Sequence, residues 1–195
     1  MAVMDTTPDA PSPLTPRDPR LAPWRAFVRA HAHVSRRLDE DLRAEHAMSL
    51  QEYASLLILA EAPGRRLRMG RLAEALTISR SGATRLIDRL VEGGLVERLS
   101  CPSDLRGAEA RLTEAGLSRL RTAAPTHLRG IAEYFLATIA PEDLPDIERV
   151  MTDVARCASE APGGRCAPTA PRELAKRGPA PSGERAVSSR PRTAS

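Results

Sequence analysis

Apolar side chains recur at intervals of three and four residues along most of this chain, and each run is bounded by residues that start or stop a helix. Trp24, Phe27, Val28, Val34, Leu38 and Leu42 make one stripe and predict a first helix over about 21–46. Ser49 suits the cap of a second, SLQEYASLLILAEA, which Pro63-Gly64 stops. Met69, Leu72, Ala73 and Leu76 predict a short third helix. Thr77-Ile78-Ser79 then reads as a turn, and Ser79 caps a fourth helix, RSGATRLIDRLVEG. The inward face of that helix is Ala83, Leu86, Ile87 and Leu90, and Gly93-Gly94 ends it.

After Gly94 the period shortens. LVERL and AEARL read as two strands around the polar loop CPSDLRG, with Asp104 and Gly107 as turn-formers. Thr113 then caps a long helical region in which Leu117, Leu120, Ala124, Leu128, Ile131, Phe135 and Ile139 share a face. Pro125 lacks a donor and restricts Ala124, so a kink or break is expected there. Pro141 suits the first turn of a last helix carrying Leu144, Ile147, Met151, Val154 and Ala158. Residues 1–20 and 159–195 are rich in Pro, and the latter also in Gly, Ala, Ser and Arg; neither buries enough surface to offset its ordering entropy, so both are expected to be disordered. The expected fold is therefore mainly α with a small β-hairpin, ordered over 21–158.

Composition adjusts this picture in two respects. At 42% hydrophobic but 3% aromatic, the core must be built from aliphatic side chains. No apolar run approaches the roughly 20 residues that span a bilayer, and the first residues do not form a secretory signal, so no membrane association and a cytoplasmic location are expected. Cys101, Cys157 and Cys166 form no CxxC pair and leave one over, which argues against a disulfide framework. Cys101, near Arg98, is a candidate redox thiol, but an ordinary loop thiol is the simpler reading.

The charge is unevenly placed. Residues 64–111 carry 10 basic and 6 acidic side chains and residues 159–195 carry 7 and 3, within a net charge of +4. A short helix, a tight turn, a second helix and a hairpin, all in the basic middle segment, follow the order of a winged helix-turn-helix. Ser79, Arg80, Ser81, Thr84 and Arg85 offer hydroxyl and guanidinium donors near the start of the fourth helix, where base edges in the major groove are read. Arg89 lies one turn on and suits the DNA backbone, or a pairing with Asp88 or Glu92. Arg98 and Arg111, on the two strands, suit flanking phosphates, and Arg106 at the loop suits the narrow minor groove, its direction fixed by Asp104.

The run RLAEALTISRSGATRLIDRLVEGGLVERLSCPSDLRGAEARLTEAG resembles the core of the MarR family of bacterial transcription regulators. The motifs that carry the resemblance are the wing residues Asp104, Arg106 and Gly107, the GLVER of Gly94 to Arg98, and the LTEAG of Leu112 to Gly116. It covers about 21–158, with a DNA-binding lobe over about 49–112 and dimerisation helices over about 21–46 and 113–158. The resemblance implies a homodimer on a near-palindromic double-stranded operator, acting as a repressor released by a small aromatic or lipophilic ligand. Two apolar helical stripes too long for one lobe to cover point independently to dimerisation. Trp24, His31 and His33 are candidates for lining an effector pocket. His31 and His33 stand two apart, without ligand-spaced partners, so no metal is expected. No phosphate loop, GxSxG elbow or HExxH is present, so neither catalytic residues nor a cofactor is expected and an enzyme is disfavoured. The alternatives are a winged-helix protein–protein module and a constitutive DNA-binding factor without an effector.

Overall fold

The computed structural model describes residues 13–100 and 108–159. A first unit runs to Ala140 and a second from Pro141 onward. After a 3-10 turn at Pro19–Leu21, the first unit contains helices α1 (Ala22–His46) and α2 (Leu50–Glu61). Strand β1 (Arg66–Arg68) and helices α3 (Met69–Ala75) and α4 (Arg80–Glu92) follow. Strands β2 (Val96–Ser100) and β3 (Ala108–Leu112) lead into helix α5 (Glu114–Tyr134). Among the described residues the second unit contains a 3-10 turn (Pro141–Asp143) and helix α6 (Leu144–Ser159).

The helix starts are set by side chains that satisfy otherwise unpaired amide groups. Ser49 and Glu52 form a reciprocal capping box: the Ser49 hydroxyl oxygen accepts from the Glu52 amide at 3.2 Å, and Glu52 Oε2 accepts from the Ser49 amide at 2.8 Å. Ser79 accepts from the Gly82 amide at 3.1 Å, and Thr113 from the Gly116 amide at 3.0 Å. The stops are backbone turns. Gly64 after α2 and Gly94 after α4 have φ of +64° and +68°, a region where a side chain is strained.

The sheet has three antiparallel strands in the order β1-β3-β2. Strand β1 is not signalled by the sequence because RLR is only three residues long and carries a single apolar side chain. Register pairs Arg66 with Arg111 and Arg98 with Ala110. Val96, Ala110 and Leu112 are buried on one sheet face, packing with Leu56, Leu59, Leu72 and Ile87 from α2, α3 and α4.

Two expectations about the long helices need correction. First, α5 runs on through Pro125 without the break that was one of the two outcomes expected there. One missing donor in a 21-residue helix is outweighed by its packing on α1 and α2. Second, the expected stripe of α5 holds only through Leu117 and Leu120. Beyond Pro125 the buried residues are Thr126 and Gly130, while Leu128 is 61% and Phe135 41% exposed. Gly130 permits this face, since a Cβ there would stand 2.6 Å from Leu38 Cδ2 of α1. Thr126 is accommodated by hydrogen bonds across the same seam: its hydroxyl donates to Glu45 at 2.7 Å and lies 2.8 Å from His46 Nε2. The stripe of α1 is likewise divided, with Leu38 and Leu42 buried but Trp24, Phe27 and Val28 exposed. Helix α6 buries no residue and exposes Val150, Met151 and Val154. Among the described residues no helix is long and apolar enough to cross a membrane.

Cys157 is disulfide-bonded, contrary to the expectation of no disulfide framework.

Candidate nucleic-acid interface

Helix α4 is amphipathic in the sense its sequence implies. Ala83, Leu86, Ile87 and Leu90 are buried, and Ser79, Arg80, Ser81, Thr84 and Arg85 are exposed together on the opposite side. The polar residues are not all idle. Ser79 spends a lone pair on its cap and lies 3.2 Å from the Ser81 hydroxyl, while the Thr84 hydroxyl donates to the Arg80 carbonyl at 3.0 Å. The turn before α4 is compact because Thr77 takes φ of +55° and the Ile78 amide bonds back to the Ala73 carbonyl at 3.0 Å. That geometry sets α3 against α4 as a helix-turn-helix pair.

The hairpin root is locked to α5 by the two motifs singled out in the sequence. The Thr113 hydroxyl donates to the carbonyls of Gly94 at 2.8 Å and Leu95 at 3.0 Å, and the Thr113 amide reaches the Leu95 carbonyl at 3.1 Å. A Cβ on Gly116 would stand 2.1 Å from that same carbonyl oxygen, so the last glycine of LTEAG is there to let the two backbones touch. Asp104, Arg106, Gly107 and Cys101 lie outside the described residues.

Arg89, Arg98 and Arg111 are each engaged with a carboxylate. Arg89 pairs with neither Asp88 nor Glu92: its Nε lies 3.5 Å from Glu52 Oε1, and its Nη1 donates to the Arg85 carbonyl at 3.3 Å. Burial pushes the Glu52 carboxyl up, but the bonds from Ser49 and Arg89 outweigh it and hold the group below the usual glutamate value. Arg98 and Arg111 occupy opposite faces of the sheet because the pleat alternates. Arg98 faces α4, with Nη2 2.9 Å from Asp88 Oδ1 and 3.4 Å from the Thr84 carbonyl. Arg111 faces away from α4, with Nε 2.5 Å from Glu97 Oε1, and this bond holds the Glu97 carboxyl below its ordinary value. An open cleft on that outer side is lined by Gly64, Arg65, Glu97, Arg111 and Glu114.

Trp24 and His31 share one exposed side of α1 with Phe27 between them, at centroid separations of 6.0 and 6.2 Å. His33 is not brought to that row, and the outer-sheet cleft contains none of the three. Sequence reasoning missed the α1–α5 seam and the stacking of His127 on Tyr53 at 4.3 Å, where burial pushes the histidine down and leaves Nδ1 without a partner. The signal for the seam was Gly130, a small residue in an otherwise bulky helical face.

The MarR family profile matches residues 48–107. No curated protein matches the chain significantly. Among solved structures, AbsC, a MarR family transcriptional regulator from Streptomyces coelicolor, is 33% identical with a TM-score of 0.66, over 74% of this chain and 96% of AbsC. Sco3205, a MarR family transcriptional regulator from the same organism crystallised in complex with DNA, is 34% identical with a TM-score of 0.69, over 78% of this chain and 94% of its own. A cysteine variant of MarR from E. coli complexed with operator DNA is 23% identical with a TM-score of 0.61, over 69% and 95% of the two chains, and that likeness shows the fold alone. With this identity, this coverage and a helix-turn-helix and hairpin of this geometry, the chain belongs to the MarR family of transcriptional regulators.

Proposed function

We propose that this chain is a homodimeric, sequence-specific DNA-binding regulator that represses transcription and is released from its operator by a small aromatic or lipophilic ligand. The observation that carries the DNA-binding reading is the outer stripe of α4. Ser79, Arg80, Ser81, Thr84 and Arg85 stand exposed on a helix whose other side is fixed in the core. A protein-docking helix would instead present apolar anchors there. In this reading those five side chains address base edges in the major groove, and Arg106, positioned by Asp104, enters the minor groove. Arg89 and Arg111 hold carboxylates in the free protein, so phosphate contact by either requires exchanging that partner.

Dimerisation is supported by apolar surface left open on this single chain: Trp24, Phe27 and Val28 on α1, Leu128 and Phe135 at the far end of the first unit, and Val150, Met151 and Val154 on α6. A two-fold assembly buries such surface and sets two recognition helices roughly 34 Å apart, one turn of DNA. Release by a ligand follows the family resemblance and requires the ligand to favour a lobe spacing that misfits the operator. Sedimentation should give a dimer, and a gel-shift titration on the DNA upstream of its own gene should give a complex that weakens steeply with salt. Addition of small aromatic acids should dissociate that complex. A stable monomer, or no retardation of any upstream fragment in dilute buffer, would refute the reading.

A further inference from the structure

A carboxylate is out of place on a helix face that approaches phosphate. Asp88 nevertheless follows Ser81, Thr84 and Arg85 at helical spacing, and it is 50% exposed at its side chain. Its Oδ1 receives the Arg98 guanidinium at 2.9 Å, and the same Nη2 lies 3.4 Å from the backbone carbonyl of Thr84, one turn earlier. Arg98 therefore grips α4 at two points from β2. Its neighbours Val96 and Ala110 on that sheet face are buried, and its cross-strand partner is Ala110. These residues carry no charge, so among the described residues the guanidinium is a charged link between this sheet face and the reading face of α4.

We propose that Asp88 and Arg98 are positioning residues for DNA recognition, a strut that fixes the angle between the hairpin and the recognition helix, rather than a phosphate contact and a solvated acid. The inference rests on the DNA-binding reading above and adds to it a pair with a defined electrostatic sign. If charge alone mattered, removing the Asp88 carboxylate would tighten DNA binding, because the protein gains one unit of positive charge and Arg98 becomes available to phosphate. If the strut matters, the same change loosens binding, because hairpin and helix lose their fixed spacing before contact. The two mechanisms predict opposite directions for one isosteric substitution.

The test uses the full chain and a duplex selected from a random library by the unaltered protein, with a random-sequence duplex of equal length for comparison. Asp88→Asn should bind the selected duplex roughly three- to tenfold more weakly, with its affinity for the random duplex unchanged or higher. Arg98→Gln should weaken the selected complex alike, without the fall of about 0.9 in salt slope that losing one phosphate contact produces. The exchanged pair Asp88→Arg with Arg98→Asp should recover part of the loss, with circular dichroism confirming that each variant is folded. Tighter or equal binding of the selected duplex by Asp88→Asn, or a reduced salt slope for Arg98→Gln, overturns the strut. If the unaltered protein selects no duplex at all, the DNA-binding reading falls first, and the strut with it.

Discussion

Gly116 and Gly130 lie in the same helix, α5, yet replacing each with alanine should give very different results. A Cβ at Gly116 would stand 2.1 Å from the Leu95 carbonyl oxygen and 2.7 Å from Leu112 Cδ1, where contacts under 3.0 Å essentially never occur. The backbones must open by about 0.9 Å, the gap between the first distance and that limit. The carbonyl concerned accepts both the amide and the hydroxyl of Thr113, at 3.1 and 3.0 Å, and such a movement carries both bonds beyond hydrogen-bonding range. Two lost bonds cost about 1 kcal/mol each, and overpacking adds about 1–3 kcal/mol. Against this, alanine gains about 1 kcal/mol in helix propensity. The expected net loss is about 2–4 kcal/mol.

At Gly130 the obstacle is different in kind. The Cβ would meet Leu38 Cδ2 at 2.6 Å and Tyr134 Cε2 at 3.3 Å, both ends of side chains rather than backbone. Leu38 can turn aside, and the propensity gain offsets most of the cost, so the change should be within about 1 kcal/mol. Urea and thermal unfolding of the full chain, compared at one protomer concentration, measure both. Gly116→Ala should lower Tm by roughly 6–12 °C and Gly130→Ala by a few degrees at most. A Gly116→Ala protein no less stable than Gly130→Ala would show that the close backbone approach at the hairpin root is not what the glycine serves.

Thr126→Val removes a buried hydroxyl that links Glu45 and His46, leaving both without that partner, and should destabilise the protein by about 1–2 kcal/mol in the same assays. Glu52 has a lowered folded pKa, so its contribution is fully present above the ordinary glutamate value and is lost as pH falls through the lowered one. Stability measured from pH 5 to about pH 3 should therefore fall less steeply in Glu52→Gln than in the unaltered chain; an equal slope would remove Glu52 from the acid response.

The parts of this fold that were legible in the sequence are those decided by local chemistry. Ser49, Ser79 and Thr113 announce helix starts because their hydroxyls sit where unpaired amides need them, and Gly94 announces a stop because it takes a positive φ. The reading face of α4 was legible for a similar reason: Ala83, Leu86, Ile87 and Leu90 fix which side is buried, and the remainder must face out. What escaped depends on contacts between distant segments. Strand β1 exists only because β3 offers Arg66–Arg68 an edge, and the inward turn of Thr126 and Gly130 reflects the approach of α1. Arg98 and Arg111 looked equivalent along the chain, but the pleat and the register send one towards α4 and the other away. Their carboxylate partners, Asp88 and Glu97, follow from that parity.

The unbroken course of α5 past Pro125 has a mechanical corollary. A 21-residue helix is a rod about 31 Å long, anchored at one end where Thr113 grips Leu95 and running past α1 to Tyr134. Swinging such a rod by about 5° about its anchored end carries the far tip about 3 Å, by simple lever geometry. A small rotation at the hairpin root is thereby magnified into a displacement near Tyr134.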